Sequence, residues 1–428
     1  MIPGRTKSVD VDFMCEPLPY QNGRRSQYVF GVVVGRLRCA ILILAYEQSR
    51  QNNTFRPPRA YRKGGGQTRG CRTCSSRKKW GACRCAWLRS RMARLMNGVF
   101  RVAHLSDLHL TSLVDVTIRD LLNKRALGYL SWRLRRRHEH VPAILDALRH
   151  DLSGLTPDHI VITGDLTHIG LPSEFQQAQQ WLETLGAPTD VTIIPGNHDA
   201  YVRAPWDDTF ALWTPYMTSD PGSQTGGQQA PGESFFPSVR VRGHVVLIGA
   251  TSARPSAPFF ATGSLGTAQM ARLGDLLDLT RRQGLFRILL IHHPPLAAIV
   301  QWRKRLTDGA ALISLLARHG VEMIIHGHAH RSYVGHIPSA HGEMSVIGVP
   351  SASARGANPE RRAAYHVYEV RPLSHGWEVR TSVRNYSLND RCFVAGTQRT
   401  TRMPGSVTDL LHTTIHPHRH AAQHGQRA

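Results

Sequence analysis

The sequence predicts an α/β fold in which two β-sheets pack together with helices outside, and three observations point to it. From Val99 onward, short continuous apolar runs alternate with amphipathic helical stretches, the pattern of parallel strands covered on both faces. Later runs alternate apolar and polar residues with no helix between them, which suits antiparallel strands. The same central region holds 28 basic against 25 acidic residues, near balance, although the 428-residue chain carries a formal net charge of +23.

In chain order, strands are expected at Val99–Leu105, Ile160–Thr163, Val191–Ile194, Val245–Ala250, Ile288–Ile291 and Met323–Ile325. Helices are expected at Val141–Leu152, Glu174–Leu185, Gln269–Arg282 and Ala310–His319, where apolar residues recur at helical spacing. Met344–Val349, Ala364–Val370 and Trp377–Val383 supply the alternating strands, expected as an antiparallel second sheet. Residues 218–233, rich in Gly, Gln and Pro, read as a surface loop. This body spans residues 98–386. It contains no cysteine, so it needs no disulfide and points to no oxidising compartment.

The two ends differ from it. Residues 1–97 read as a basic, low-order extension: 20 Lys and Arg against four acids lie in the first 98 residues, with six of the seven cysteines. Met92 and Met96 stand almost at the first strand, so the extension is either a disordered leader or an upstream region that is not translated. Cys71, Cys74, Cys83 and Cys85 could form a four-thiolate zinc site, although the second pair has one intervening residue rather than two. No secretory signal is read. The apolar run Tyr28–Tyr46 holds Arg36 and Arg38 at its middle, each costing about 2.5–3.5 kcal/mol in a bilayer. A cytoplasmic protein, at most peripherally attached to a membrane, is the expectation. Residues 387–428 read as a tail whose His412, His416, His418, His420 and His424 are solvated rather than a metal trap. Because the positive charge sits at the ends, nucleic acid is a disfavoured partner.

Five polar clusters follow five of the strands. They are Asp107-Leu108-His109, Gly164-Asp165, Gly196-Asn197-His198-Asp199, His292-His293-Pro294 and Gly327-His328-Ala329-His330. Side chains at the carboxyl ends of strands in open α/β sheets gather in one crevice. Residues i and i+2 leaving a strand can reach one ion while Leu108 or Ala329 between them turns into the core. Imidazoles, a carboxamide and carboxylates suit Mn, Fe or Zn better than Ca or Mg. Any one cluster is a common coincidence; five in this order, each on a strand end, are not.

The constellation resembles the calcineurin-like metallophosphoesterase family, whose pattern is D-x-H, G-D, G-N-H-[DE], H and G-H-x-H. Here the blocks read His104-Leu105-Ser106-Asp107-Leu108-His109, Thr163-Gly164-Asp165, Pro195-Gly196-Asn197-His198-Asp199, Ile291-His292-His293-Pro294-Pro295 and His326-Gly327-His328-Ala329-His330. The short spacings and the His-His-Pro-Pro block look most like the branch with class III cyclic-nucleotide phosphodiesterases and glycerophosphodiesterases. The resemblance implies a four-layer αββα sandwich and two divalent or trivalent metal ions. One would be held by Asp107, His109, Asp165 and His330, the other by Asp165, Asn197, His292 and His328, with the Asp165 carboxylate bridging.

Two cations about 3.5–4 Å apart clamp both oxygens of an in-line phosphoryl displacement and acidify a bridging water to the attacking hydroxide. His198 would stabilise the transition state or protonate the leaving alkoxide. His293 is expected behind the ligands rather than among them. Many relatives carry an acid three positions after the G-D aspartate, where it orients the imidazole of the G-N-H block. Here that position is His168, so Asp199 could substitute, or His198 acts only as an electrostatic donor. The protein-phosphatase form G-D-x-x-D-R-G is absent. Small phosphodiesters, cyclic nucleotides or glycerophosphodiesters, are the leading substrates. A pyrophosphohydrolase on a nucleotide-linked lipid precursor is the alternative, with a nuclease or a non-catalytic scaffold behind it.

Residues 111–140, between the first and second blocks, interleave Leu121, Leu122, Leu127, Leu130, Trp132 and Leu134 with Arg119, Lys124, Arg125, Arg133, Arg135, Arg136 and Arg137. They read as a helix over the sandwich edge with a solvated basic face. Contact with an anionic membrane or lipid-like substrate and contact with substrate phosphates are the alternatives.

Overall fold

The computed structural model describes residues 97–110, 112–113, 116–223 and 235–404. The thiolate cluster, the Tyr28–Tyr46 run, the tail histidines and residues 224–234 of the surface loop lie outside the described residues. Among the described residues, twelve strands form two six-stranded mixed sheets. The first comprises β1 (Phe100–Leu105), β2 (His159–Ile162), β3 (Val191–Ile193), β10 (Ala364–Leu373), β11 (Gly376–Ser387) and β12 (Cys392–Met403), in the order β12-β11-β10-β1-β2-β3. The second comprises β4 (Ser238–Arg242), β5 (Val245–Gly249), β6 (Phe286–Ile291), β7 (Met323–His326), β8 (Tyr333–Ser339) and β9 (Gly342–Gly348), in the order β4-β5-β6-β7-β9-β8. Strands β1, β2 and β3 are parallel, as are β5, β6, β7 and β9.

Five helices of seven or more residues complete the architecture: α1 (Arg125–Ser131), α2 (Pro142–Leu155), α3 (Pro172–Leu185), α4 (Thr267–Arg282) and α5 (Gly309–His319). Helix α2 buries Ile144, Leu145, Leu148 and Leu152, one apolar stripe, and starts with Pro142, whose missing N–H is no loss in a first turn. The strands of the second sheet explain their own unbroken apolar runs. Val245, Leu247, Ile288 and Leu290 face the core shared with the first sheet, α2 and α3. Val246, Ile248, Leu289 and Ile291 face a separate core with Leu273, Leu277, Leu312 and Leu316 of α4 and α5. Helix, sheet, sheet and helix thus form the four layers of an αββα sandwich.

One expectation is corrected. The alternating runs do not form an antiparallel sheet of their own. β10 and β11 extend the first sheet from the open edge of β1, and β9 pairs in parallel with β7. Alternation reports which face of a strand is wet, not which strand lies beside it. Strands β4, β8 and β12 all lie at sheet edges and are not legible in the sequence: β8 and β12 bury few residues, and β4 buries Ser238 and Arg240 beside Val239, which blurs its apolar pattern. β12 shows the point well: only Phe393 and Met403 are buried along its 12 residues, yet it continues the sheet past residue 386.

Candidate metal centre

All five polar clusters sit just beyond the carboxyl ends of parallel strands β1, β2, β3, β6 and β7, so both sheets aim them at one crevice. The turns that do so are strained. Asp107, His109, Asp165, His328 and His330 have φ between 42° and 63°, and they are five of the eight described non-glycine residues with positive φ. Strain of this kind, of order 1–3 kcal/mol per residue, persists where surrounding structure fixes it and clusters at functional sites. Two glycines permit the close approach. A Cβ on Gly196 would lie 2.2 Å from Asp165 Oδ1, and one on Gly327 would lie 2.6 Å from Asp107 Oδ2.

Asp107, His109, Asp165 and His330 offer ligand atoms within 4.8 Å of one another, and so do Asp165, His292 and His328; Asp165 belongs to both groups. Asn197 Oδ1 lies 3.1 Å from His292 Nε2, which stands 3.4 Å from Asp165 Oδ2. Three of the imidazoles are oriented by the nitrogen that turns away. His109 Nδ1 donates to the Thr167 carbonyl at 2.8 Å and His292 Nδ1 to the Thr163 carbonyl at 2.6 Å, leaving Nε2 of each toward the crevice. His328 Nε2 donates to the Lys304 carbonyl at 2.9 Å, leaving Nδ1. This is how metal-bound histidines are held, and the residues present therefore fit a pair of metal ions.

The electrostatics agree. Burial, then the neighbouring imidazoles, holds His109 and His328 well below the usual imidazole range, so both are neutral and able to bind a cation. Burial would raise Asp107, but the His330 imidazole 3.0 Å away and the Ser106 hydroxyl keep it far below the usual carboxylate range. His292 differs: burial works against its charged form, but the carboxylates of Asp165 and Asp107 outweigh it and lift its pKa to about 9, so a cation binding there displaces its proton.

The remaining sequence-read residues take distinct places. His293 directs Nδ1 to Ser252 Oγ at 2.7 Å and Nε2 to the Ala261 carbonyl at 3.2 Å, so both its nitrogens are occupied by protein. His198 donates its backbone N–H to Asp165 Oδ1 at 2.7 Å and its Nδ1–H to the carbonyl of His168 at 2.5 Å. The main chain of residue 168, rather than an acidic side chain, thus orients this imidazole, while the His168 ring stacks on His109 at 5.1 Å between centroids. Asp199 serves neither purpose. Its carboxylate accepts from the N–H groups of Asp165, Leu166, Thr167 and Gly196 and from the Thr167 hydroxyl, at 2.8–3.0 Å, tying the second cluster to the third.

Several residues at the site carry no motif. Arg136 Nη1 stands 3.1 Å from both ring nitrogens of His198. Burial first, then this guanidinium, holds His198 well below the usual imidazole range. His140 lies 4.4 Å from His109 between centroids and donates to or accepts from Ser353 Oγ at 2.8 Å. Glu174, buried at the start of α3, accepts the N–H groups of His168, Ile169 and Leu171 and so fixes the loop that carries the His168 carbonyl. Periodicity could have found Arg136, one helical spacing beyond Trp132, which packs inward. Above the centre lies a cavity of about 570 Å³, with Arg135, Arg136, Lys304 and Arg361 among its lining residues.

Fold and site together define a metal-dependent phosphoric ester hydrolase built on an αββα sandwich. The chain belongs to the calcineurin-like phosphoesterase family, whose pattern matches residues 100–332. It is 25% identical over 229 residues to a probable cyclic nucleotide phosphodiesterase of Synechococcus, covering 52% of this chain and 75% of that one. It is 29% identical over 254 residues to a cAMP/cGMP dual specificity phosphodiesterase of Mycobacterium tuberculosis, covering 54% of this chain and 71% of that one. A glycerophosphodiester phosphodiesterase of Enterobacter lignolyticus is 31% identical over 120 residues, covering 28% of this chain and 36% of that one. Among the described residues, no helix is long and apolar enough to cross a membrane.

Proposed function

We propose that the chain hydrolyses a small phosphodiester at two metal ions, Mn, Fe or Zn, with a cyclic nucleotide or a glycerophosphodiester as the leading substrate class. The observation that carries this reading is Asp165: one carboxylate, buried, belongs to two adjacent ligand groups drawn from both sheets. Asp107, His109, Asp165 and His330 would hold one ion, and Asp165, Asn197, His292 and His328 the other. Two such cations, when bound, supply Lewis-acid charge for the phosphoryl oxygens and for activating water. The protein's own groups do the rest. His293 and Asp199 hold the turns from behind. His198, on the pocket wall beside Asp165 and Asn197, acts on the leaving oxygen, and Arg136 beside it meets negative charge on the phosphoryl group. The relatives' names support the substrate class.

A second reading has its own support. Arg135, Arg136, Lys304 and Arg361 line the cavity against Glu139 and Asp165, and this excess of positive charge favours a pyrophosphohydrolase acting on a nucleotide-linked lipid precursor. The deciding experiment loads the full chain with Mn and offers cyclic AMP, glycerophosphodiesters, aryl mono- and diesters and nucleotide-linked lipids. Asp165→Ala and Asn197→Ala are expected to abolish turnover and to lower bound metal. Wild-type rates in both variants refute the assignment.

A further inference from the structure

Apolar side chains that no part of the described fold covers border the mouth of the cavity. Among the described residues twelve large hydrophobic side chains are exposed, and seven of them lie on just three segments: five within residues 118–134, with Phe259 and Trp302. These segments are contiguous. Lys124 Nζ donates to the Ser256 carbonyl at 2.9 Å and to the Phe260 carbonyl at 3.3 Å. The Phe260 ring meets Trp302 edge-on at 5.3 Å, and the Ala261 N–H donates to the Arg303 carbonyl at 3.0 Å. Ser131, Arg135, Ala261 and Lys304, from the same three segments, line the cavity itself.

Helix α1 and the π-helical turn after it, Trp132–Arg136, show how the face arises. Arg125 and Gly128 are buried, and Tyr129 and Trp132 pack on Leu113, Ile169 and Leu171. That inward face leaves Leu127, Leu130 and Leu134, spaced i, i+3 and i+7, pointing outward at 40%, 53% and 66% exposure. The surrounding charge is one-sided. Of the seven Lys and Arg in residues 118–140, Arg119, Arg133, Arg135 and Arg137 are exposed, against Asp120 and Glu139, both half-buried, and exposed Arg303 and Lys304 follow Trp302.

Leucines with Phe and Trp, set among arginines and lysines, match the boundary between acyl chains and anionic headgroups. The apolar groups enter the bilayer edge, the cations meet lipid phosphates, and aromatic rings settle at headgroup depth. A protein partner would more commonly meet such a patch with fewer uncompensated cations around it. We propose that this rim docks the protein peripherally on an anionic lipid surface, with the mouth of the cavity at the level of the headgroups. The docking is independent of which ester the site cleaves.

Sedimentation of the full chain with vesicles tests it. The protein is expected to pellet with equimolar phosphatidylcholine and phosphatidylglycerol, not with phosphatidylcholine alone, and to be released as salt rises to about 0.5 M. The variant Leu127→Ser/Leu130→Ser/Leu134→Ser is expected to lose about tenfold or more of its vesicle partition, while Mn-supported hydrolysis of bis(p-nitrophenyl) phosphate in solution keeps the wild-type rate. Because these three leucines are exposed, circular dichroism of the variant is expected to match the wild type. Arg133→Gln/Arg137→Gln is expected to weaken binding and flatten its salt dependence. Vesicle binding of the leucine variant equal to wild type overturns the proposal. So does a wild-type protein that ignores anionic vesicles, and a concentration-dependent dimer lost in the leucine variant would then assign the face to a second copy.

Discussion

Asp199 shows how much a single side chain outside the ligand set can hold. It accepts four backbone N–H groups and one hydroxyl, from Asp165 and the two residues after it and from Gly196. Asp199→Ala would leave those buried donors unmet, so a loss of about 3 kcal/mol or more is expected in urea unfolding. Metal affinity should fall about 10–100-fold, as for other residues that orient ligands from behind; unchanged titrations of both kinds would remove Asp199 from this role. A second expectation concerns Arg136. Its charge, after burial, keeps His198 below the usual imidazole range, so Arg136→Gln removes a neighbouring positive charge that lowers that pKa. The limb of the kcat/KM pH profile that belongs to His198 should therefore move to higher pH. A limb that stays put would mean that the guanidinium does not act on this imidazole.

Among the elements, the helices α2 to α5 and the central strands were legible because burial on one stripe or on both faces leaves a period in the sequence. What α1 touches was not legible. Its sequence, Arg-Ala-Leu-Gly-Tyr-Leu-Ser, fits a solvated helix equally well, and the deciding contact is made by a residue with no side chain. A Cβ on Gly128 would meet Ile169 Cγ2 at 2.6 Å and the Tyr201 hydroxyl oxygen at 2.8 Å. Gly128→Ala thus sets two effects against each other: a gain of up to about 1 kcal/mol in helix propensity and an overpacking cost of about 1–3 kcal/mol. At these distances the overpacking should win. Helix α1 would be pushed outward, with a lower melting temperature and a weaker Arg136–His198 contact read as a reduced kcat. An equal melting temperature with full activity would show that the helix can shift without consequence.

For the whole molecule, the apolar runs were enough to expect two packed sheets and the five clusters one crevice, because metal-type side chains on strand ends encode direction as well as chemistry, while the four layers followed from the resemblance those clusters carry. The sheet order was not foreseen, since pairing partners far apart in the chain leave no local mark. The clearest case is β12. It pairs with β11 from Trp377↔Met403 to Ser387↔Cys392. Its Phe393 packs at 5.3 Å on Tyr365 and at 5.5 Å on Tyr386, and its carbonyl accepts from Arg384 Nη2 at 3.0 Å. Arg384 in turn grips Asp151 of α2 through both its Nε and Nη2. A chain ending at residue 387 loses this strand. Burial of one phenylalanine, about 1.5–3 kcal/mol, goes with it, and β11 is left as a long unpaired edge of the kind that recruits other chains. Such a truncation should melt earlier and aggregate on heating. Because the ligand-bearing strands of this sheet begin at β1, with β11 and β10 between them and this edge, the residue-387 form should still bind metal below its melting temperature. Loss of metal binding in a form that remains folded would mean that β12 also holds the site in register.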